Sequence, residues 1–324
     1  MIEDMLQAKK DYSRFSLALL AIAAVTTLIQ FLLGFVLGLL PSASVWEEIE
    51  ILRWILTIAP MYLVGYPVGL LLMRKIPAEA PGKQKLSFGR FMVLFLMCIP
   101  LMYGGNIIGN LLSALLSGGN AQNEVVEFVT GNPLYSFVFA VLLAPLMEEL
   151  IFRKLLIDRL GRFGELTAIL FSAVTFGLFH MNFFQFFYAF GLGLIFAYVY
   201  TRTGMLRYPV IMHAIINFIG GVIGPALLGL VDTQTMAAYE QGTATLEQLV
   251  QLLPAMLAIL SYSFVLMGAV IAGLVLLIVR WKKRQFVPAS RELPVGTSRK
   301  IVYLNPGMIC FTAFCAVMII LALF

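Results

Sequence analysis

Apolar residues run along this chain in long unbroken stretches, without the alternation of half-buried elements, and short clusters of charge separate one stretch from the next. A helix needs ~20 apolar residues to cross a bilayer of ~30 Å. The stretches predict nine such helices: Ser16 to Leu40, Leu52 to Met73, Phe91 to Leu116, Leu134 to Leu156, Leu166 to Phe179, Phe183 to Tyr200, Pro209 to Leu230, Leu249 to Val279 and Val302 to Phe324. Pro60 and Pro67 predict kinks in the second. The eighth is long enough to need tilt or an interfacial lead-in at Pro254. The expected fold is an all-α polytopic transmembrane helix bundle of about nine spans. Residues 1–324 form a single membrane domain, with no internal repeat, no low-complexity segment and no loop long enough for a soluble unit.

Composition excludes an ordinary soluble domain: 61% of residues are hydrophobic, 12% are charged and the mean hydropathy is +0.94. The net charge of +5 needs no nucleic acid to explain it, because the charges record topology. With the N-terminus on the cytoplasmic side, nine spans bring all 22 Lys and Arg residues except Arg53 to the cytoplasmic side or its edge. The expectation is a cell-membrane protein with its N-terminus in the cytoplasm and its C-terminus outside. The connection Pro41 to Ile51, with Glu47, Glu48 and Glu50, is then external, and the Arg280 to Lys300 cluster, with Lys282, Lys283 and Arg284, is internal. The first run is too long for a cleaved signal peptide and reads as a retained anchor. Cys98, Cys310 and Cys315 all fall in apolar runs, so no disulfide framework is expected.

One stretch breaks the rule that spans are apolar. Pro145-Leu146-Met147-Glu148-Glu149-Leu150-Ile151-Phe152-Arg153 places two carboxylates and a guanidinium in the fourth span. A charged residue at the centre of a span costs ~3 kcal/mol on insertion scales, so it persists only when paired or facing a polar cavity. Glu149 and Arg153 are four residues apart, on one helical face, and can pair. Glu148 is turned about 100° from them and points at another part of the bundle. Both histidines of the chain also lie in or at the end of apolar runs: His180 closes the fifth, and His213 sits four residues before Asn217 in the seventh. A carboxylate with two imidazoles and an amide offers water activation, with Glu148 as general base, His180 holding the water, and His213 with Asn217 donating to a developing oxyanion. Glu148, His180 and His213 are also a ligand set for Zn²⁺ or another divalent metal, so both metal-bound and metal-free versions stand open.

The three motifs, Glu148-Glu149-x-x-x-Arg153, Phe176-x-x-x-His180 and His213-x-x-x-Asn217, resemble those of the CPBP family, the CAAX prenyl proteases and bacteriocin-processing enzymes also called Abi proteins. The motif-bearing core is residues 134–230. The resemblance implies an intramembrane endopeptidase, grouped with metalloproteases, acting on a hydrophobic or lipidated CAAX-like peptide. It assigns Glu148 and His180 to water activation, His213 and Asn217 to the oxyanion hole, and Glu149 and Arg153 to support. The partners expected are that peptide and membrane lipids, and no oligomeric state follows. Phe324 ends the chain without a CAAX box.

Two other readings remain at this level. A non-catalytic scaffold or bacteriocin-immunity protein would keep the motif as structure, with Glu149–Arg153 fixing helix packing and Asn217 joining two helices. A proton-coupled transporter is disfavoured by the lack of a repeat and by the clustering of the motifs in spans four to seven. Depth poses a difficulty. If the fourth span ends at Leu156, Glu148 lies ~12 Å from its inner end and His213 ~6 Å from that of the seventh, but His180 lies ~21 Å in. The fifth span then has to start deeper, tilt strongly or follow a dipping connection.

Overall fold

The computed structural model describes residues 1–39, 49–281, 286–294 and 296–324, Trp281 by its backbone alone. Glu47, Glu48, Lys282, Lys283 and Arg284 lie outside the described residues. Among the described residues, seven helices are long and apolar enough to cross a membrane: α1 (Ile2–Gly38), α2 (Glu50–Met73), α3 (Phe88–Ser117), α4 (Pro133–Phe163), α6 (Phe183–Thr203), α7 (Arg207–Leu228) and α8 (Leu246–Arg280). Two shorter apolar helices, α5 (Glu165–Phe179) and α9 (Pro306–Leu321), complete the bundle. The protein is an all-α integral membrane protein. The nine predicted runs recur as these seven long and two short helices, and the Pro254 region lies within one continuous helix. In α2 the expected distortion is a widened π turn over Pro60–Gly65.

Helix α6 is the hub. More than half of its apolar window is buried inside the protein (56%), against 6% for α8, so α6 is the central helix and α8 faces lipid. α6 packs on α3, α5 and α7, while α1 is flanked by α2 and α9. The closeness of α3 and α6 rests on Gly105 and Gly109, four residues apart, which lie directly against the backbone of Tyr188 and Phe183. A small-x-x-x-small stripe of this kind lets two helix backbones touch. Gly104, one position away, faces open space. Gly105→Leu is therefore expected to lower stability in detergent by about 1–3 kcal/mol through overpacking. Gly104→Leu should stay near wild type in the same thermal melt, and equal behaviour of the two variants would refute the close-packing account.

The charge clusters at the N-terminal end of α1 and the C-terminal end of α4 are not loops. α1 is helical from Ile2, and α4 continues past Lys154 to Phe163. Arg162 lies 2.8 Å from Asp11 of α1, both buried, and donates to the carbonyl of Pro77. Asp158 accepts from Tyr200 of α6 at 2.7 Å and pairs with Lys154 at 3.1 Å. Protein groups rather than water solvate these charges, which lets the helix run on beyond its apolar stretch. Arg53, the exception to the charge asymmetry, pairs with Glu127 on the short helix Glu124–Thr130 at 2.7 Å. Both side chains are exposed, so the pair adds at most ~1 kcal/mol.

The longer α4 removes the depth difficulty between Glu148 and His180. The corner between α4 and α5 lies at residues 163–165, with Glu148 fifteen positions before Phe163 and His180 fifteen after Glu165. At ~1.5 Å per residue both stand ~22 Å from the corner. The mismatch came from ending the fourth span at Leu156, where hydropathy falls.

Candidate active site

Glu149 and Arg153 pair as their spacing predicts. Arg153 Nε lies 2.8 Å from Glu149 Oε2, its Nη2 lies 3.1 Å from Oε1, and both side chains are 0% exposed. The guanidinium also donates to Ser172 Oγ of α5 at 2.9 Å and stacks over the Phe176 ring, 4.5 Å from its centroid. Ser172 Oγ in turn donates a hydrogen bond to the carbonyl of Phe152 at 2.6 Å. One arginine thus ties α4 to α5. It stands where the helix widens into π turns over Leu150–Leu155, a distortion that often accompanies functional sites.

Glu149 reaches a third helix. Its Oε1 lies 2.9 Å from His213 Nδ1 of α7. A carboxylate ionised by its arginine can only accept, so Nδ1 carries the proton. His213 Nε2 then faces Glu148, 3.8 Å from its Oε2. In the neutral ring Nε2 is an acceptor or ligand atom, and it donates only as imidazolium. The ring is held between Phe176 and Phe196, with centroids 5.9 and 5.4 Å away.

His180 is fixed by a different device. Its Nδ1 donates to the carbonyl of Phe176 at 2.8 Å, one turn back, which leaves Nε2 as the free lone pair of the neutral ring. The residue caps α5, and only Met181 and Asn182 separate it from α6. Met181 takes a left-handed backbone (φ 54), unusual for a side chain with a Cβ. Asn182 holds the turn: its Nδ2 donates to the carbonyl of His180 at 2.7 Å, and its Oδ1 accepts from the Gln185 backbone N–H at 2.9 Å. Glu148, Arg153 and His213 are the charged and titratable groups that act on the His180 ring.

Glu148 differs from Glu149 in every respect that bears on chemistry. Its side chain is 19% exposed and carries no hydrogen bond among the described residues. Its charge reaches the phenols of Tyr62 and Tyr66 on α2 and Tyr188 on α6. The Tyr66 hydroxyl is buried without a hydrogen-bond partner among the described residues. Asn217 shares the α7 face of His213 but points further along α4, where one of its amide protons goes to the carbonyl of Ala140 at 2.8 Å. The structure therefore draws Glu148, Glu149, Arg153, His180 and His213 together and places Asn217 beside them, joined to the same helix.

Residues 130–219 match the profile of the type II CAAX prenyl endopeptidase Rce1-like family. Over this segment the match supports a CPBP-family membrane protease domain. The match begins just ahead of α4 and ends in α7, so it takes in every residue of the cluster. The candidate membrane peptidase YdiL of Bacillus subtilis (strain 168) is 26% identical over 156 residues, which cover 46% of this chain and 64% of that protein. The chain thus spans a little under two thirds of that relative's length. No solved structure gives a significant match.

The metal reading meets a geometric test here. Among the described residues no three His, Cys, Asp or Glu side chains converge closely enough to hold an ion, and Glu148, His180 and His213 are not drawn into a ligand cluster. Ser172, Asn182 and the tyrosines were not evident from spacing. The Asn182 signal was local, an Asn standing directly before an apolar helix as an N-cap does. Ser172 and the tyrosines have no local signal, since their partners come from other spans.

Proposed function

We propose that this protein is an intramembrane endopeptidase that hydrolyses a peptide bond in a hydrophobic or lipidated, CAAX-like substrate. The observation that carries the reading is Glu148, a partly exposed carboxylate at depth in a bundle, faced by His213 Nε2 while both imidazoles are anchored through Nδ1. A water molecule between Glu148 and His180 donates one proton toward each. Glu148 takes one as the water oxygen attacks the scissile carbonyl. The oxyanion that forms accepts from the imidazolium Nε2–H of His213 and from the second amide proton of Asn217. Glu148 then returns its proton to the departing nitrogen, the C–N bond breaks, and the products are an amine and a carboxylic acid, whose remaining proton leaves through His180 to give the carboxylate. Donors held in place where negative charge develops contribute more than they would in water, because they need no reorganisation as the charge forms.

The topology that suits this reading keeps the N-terminus in the cytoplasm, with substrate entering from that half. The test is mass-spectrometric detection of the two products from a prenylated CAAX peptide. Wild-type protein is expected to release the terminal tripeptide. His180→Ala is expected to abolish release while leaving the melting curve in place, and metal analysis of both samples reads whether an ion is lost with the activity. Full activity in His180→Ala would overturn the assignment. An inert wild type whose motif variants only lose stability would favour the scaffold or immunity role, for which the buried Glu149–Arg153 tie would be sufficient reason.

A further inference from the structure

Away from Glu148, helices α3, α5 and α6 and the inner end of α8 enclose a groove of about 750 Å³. That lies within the ~300–1,000 Å³ usual for small-molecule sites. None of Glu148, His180, His213 or Asn217 lines it. Its two ends differ in chemistry. Lys85, Arg90, Arg202 and Arg280 stand around one end, where α3 begins and α6 and α8 finish, and among the described residues no Asp or Glu lines the groove. Arg202 is matched by Glu165 at 2.8 Å. Lys85, Arg90 and Arg280 have no carboxylate within ion-pair distance among the described residues. From this cationic end the wall continues along α3 from Arg90 to Met97, ~10 Å of helix rise, and is apolar on the facing sides of α5 and α6. Leu166 and Leu170 of α5, both in the wall, are exposed at 44% and 37%, so the groove also opens sideways toward the membrane.

We propose that this groove binds one anionic phospholipid, with its phosphate among Lys85, Arg90 and Arg280 and an acyl chain laid along the apolar wall. Three observations select a lipid over a soluble anion. The cations sit at the polar ends of spans, at headgroup level. An apolar wall rises directly from them, and its lateral opening is continuous with the bilayer. Basic pockets between spans at this level are sites for acidic headgroups. The absence of a lining carboxylate selects an anionic over a zwitterionic headgroup.

The test uses the full chain in detergent and compares retention of phosphatidylglycerol with phosphatidylcholine by native mass spectrometry during stepwise delipidation. Wild type is expected to keep one phosphatidylglycerol after phosphatidylcholine has been stripped, and to melt at higher temperature when it is added. Lys85→Gln/Arg90→Gln/Arg280→Gln should lose that retention at least tenfold, and circular dichroism should show an unchanged fold. Leu170→Trp, which narrows the lateral opening and keeps every cation, should lose it as well. Equal retention of the two lipids by wild type, or unchanged retention in both variants, overturns the proposal. Displacement of phosphatidylglycerol by equimolar glycerol phosphate would make this a soluble-anion site and also overturn it. If the triple variant keeps the lipid but loses cleavage of a prenylated peptide, the groove belongs to the substrate. Because no proposed catalytic residue lines the groove, lipid retention remains readable in Glu148→Gln protein.

Discussion

Glu148→Gln is expected to lower kcat for a prenylated CAAX peptide by ~10²–10⁴-fold, the usual worth of a positioned general base, with KM and melting temperature close to wild type. The separation of the two effects follows from the site. Glu148 carries no hydrogen bond among the described residues and is partly exposed, so the isosteric amide breaks no hydrogen bond and keeps the shape of the side chain, altering only the charge that faces His213 Nε2 at 3.8 Å. What it removes is the basic lone pair that accepts the proton of water. A change confined to kcat is the signature of a group that acts in the transition state and not in binding. Steady-state kinetics beside a thermal melt read both quantities. A variant that keeps the wild-type rate would end the assignment of Glu148 as base. One that loses the rate only by unfolding would place Glu148 with the structural residues.

Arg153→Met should act in the opposite sense, through stability first. The guanidinium is completely buried, forks onto Glu149, reaches Ser172 and lies over Phe176. Removing it leaves the Glu149 charge in a dry interior with only His213 to answer it. Breaking one side of a buried pair costs about 3–5 kcal/mol, much of it the penalty of the stranded charge. The double variant Arg153→Met/Glu149→Gln removes the charge as well as its partner and should recover part of the loss. Chemical denaturation in micelles of wild type, single and double variants measures this. A single variant as stable as wild type would mean that the pair carries no net weight in folding. The double variant should nevertheless stay catalytically impaired, because His213 has lost the ionised carboxylate that fixed its Nδ1–H.

The contrast between these variants was legible in the sequence as far as helical spacing could take it. The four-residue step from Glu149 to Arg153 and the rotation of Glu148 away from them follow from the geometry of one helix, and the structure shows both. The C-terminal end of α4 was not legible. Arg153, Lys154, Arg159 and Arg162 read as the polar border of a span, because hydropathy assigns each residue a cost without knowing its partners. Ser172, Asp11 and the carbonyl of Pro77 come from elsewhere in the chain and remove that cost. The Gly105–Gly109 contact and the tyrosines near Glu148 were hidden for the same reason. A glycine in an apolar run shows its purpose only when the backbone that lies against it is known, and a tyrosine only when the charge it faces is known.

The corner at residues 163–165 divides the stretch from Glu148 to His180 into two arms of equal length, the second half of α4 and the whole of α5, with Glu148 at the end of one and His180 at the end of the other. A site built this way is sensitive to chain length as well as to residue identity. One residue inserted in either arm would advance its tip by ~1.5 Å and swing it by about 100°, turning the carboxylate or the imidazole away even though every side chain named above is retained. The arms behave as a calliper whose opening is set by counting residues, so insertions and deletions belong in the loops outside them.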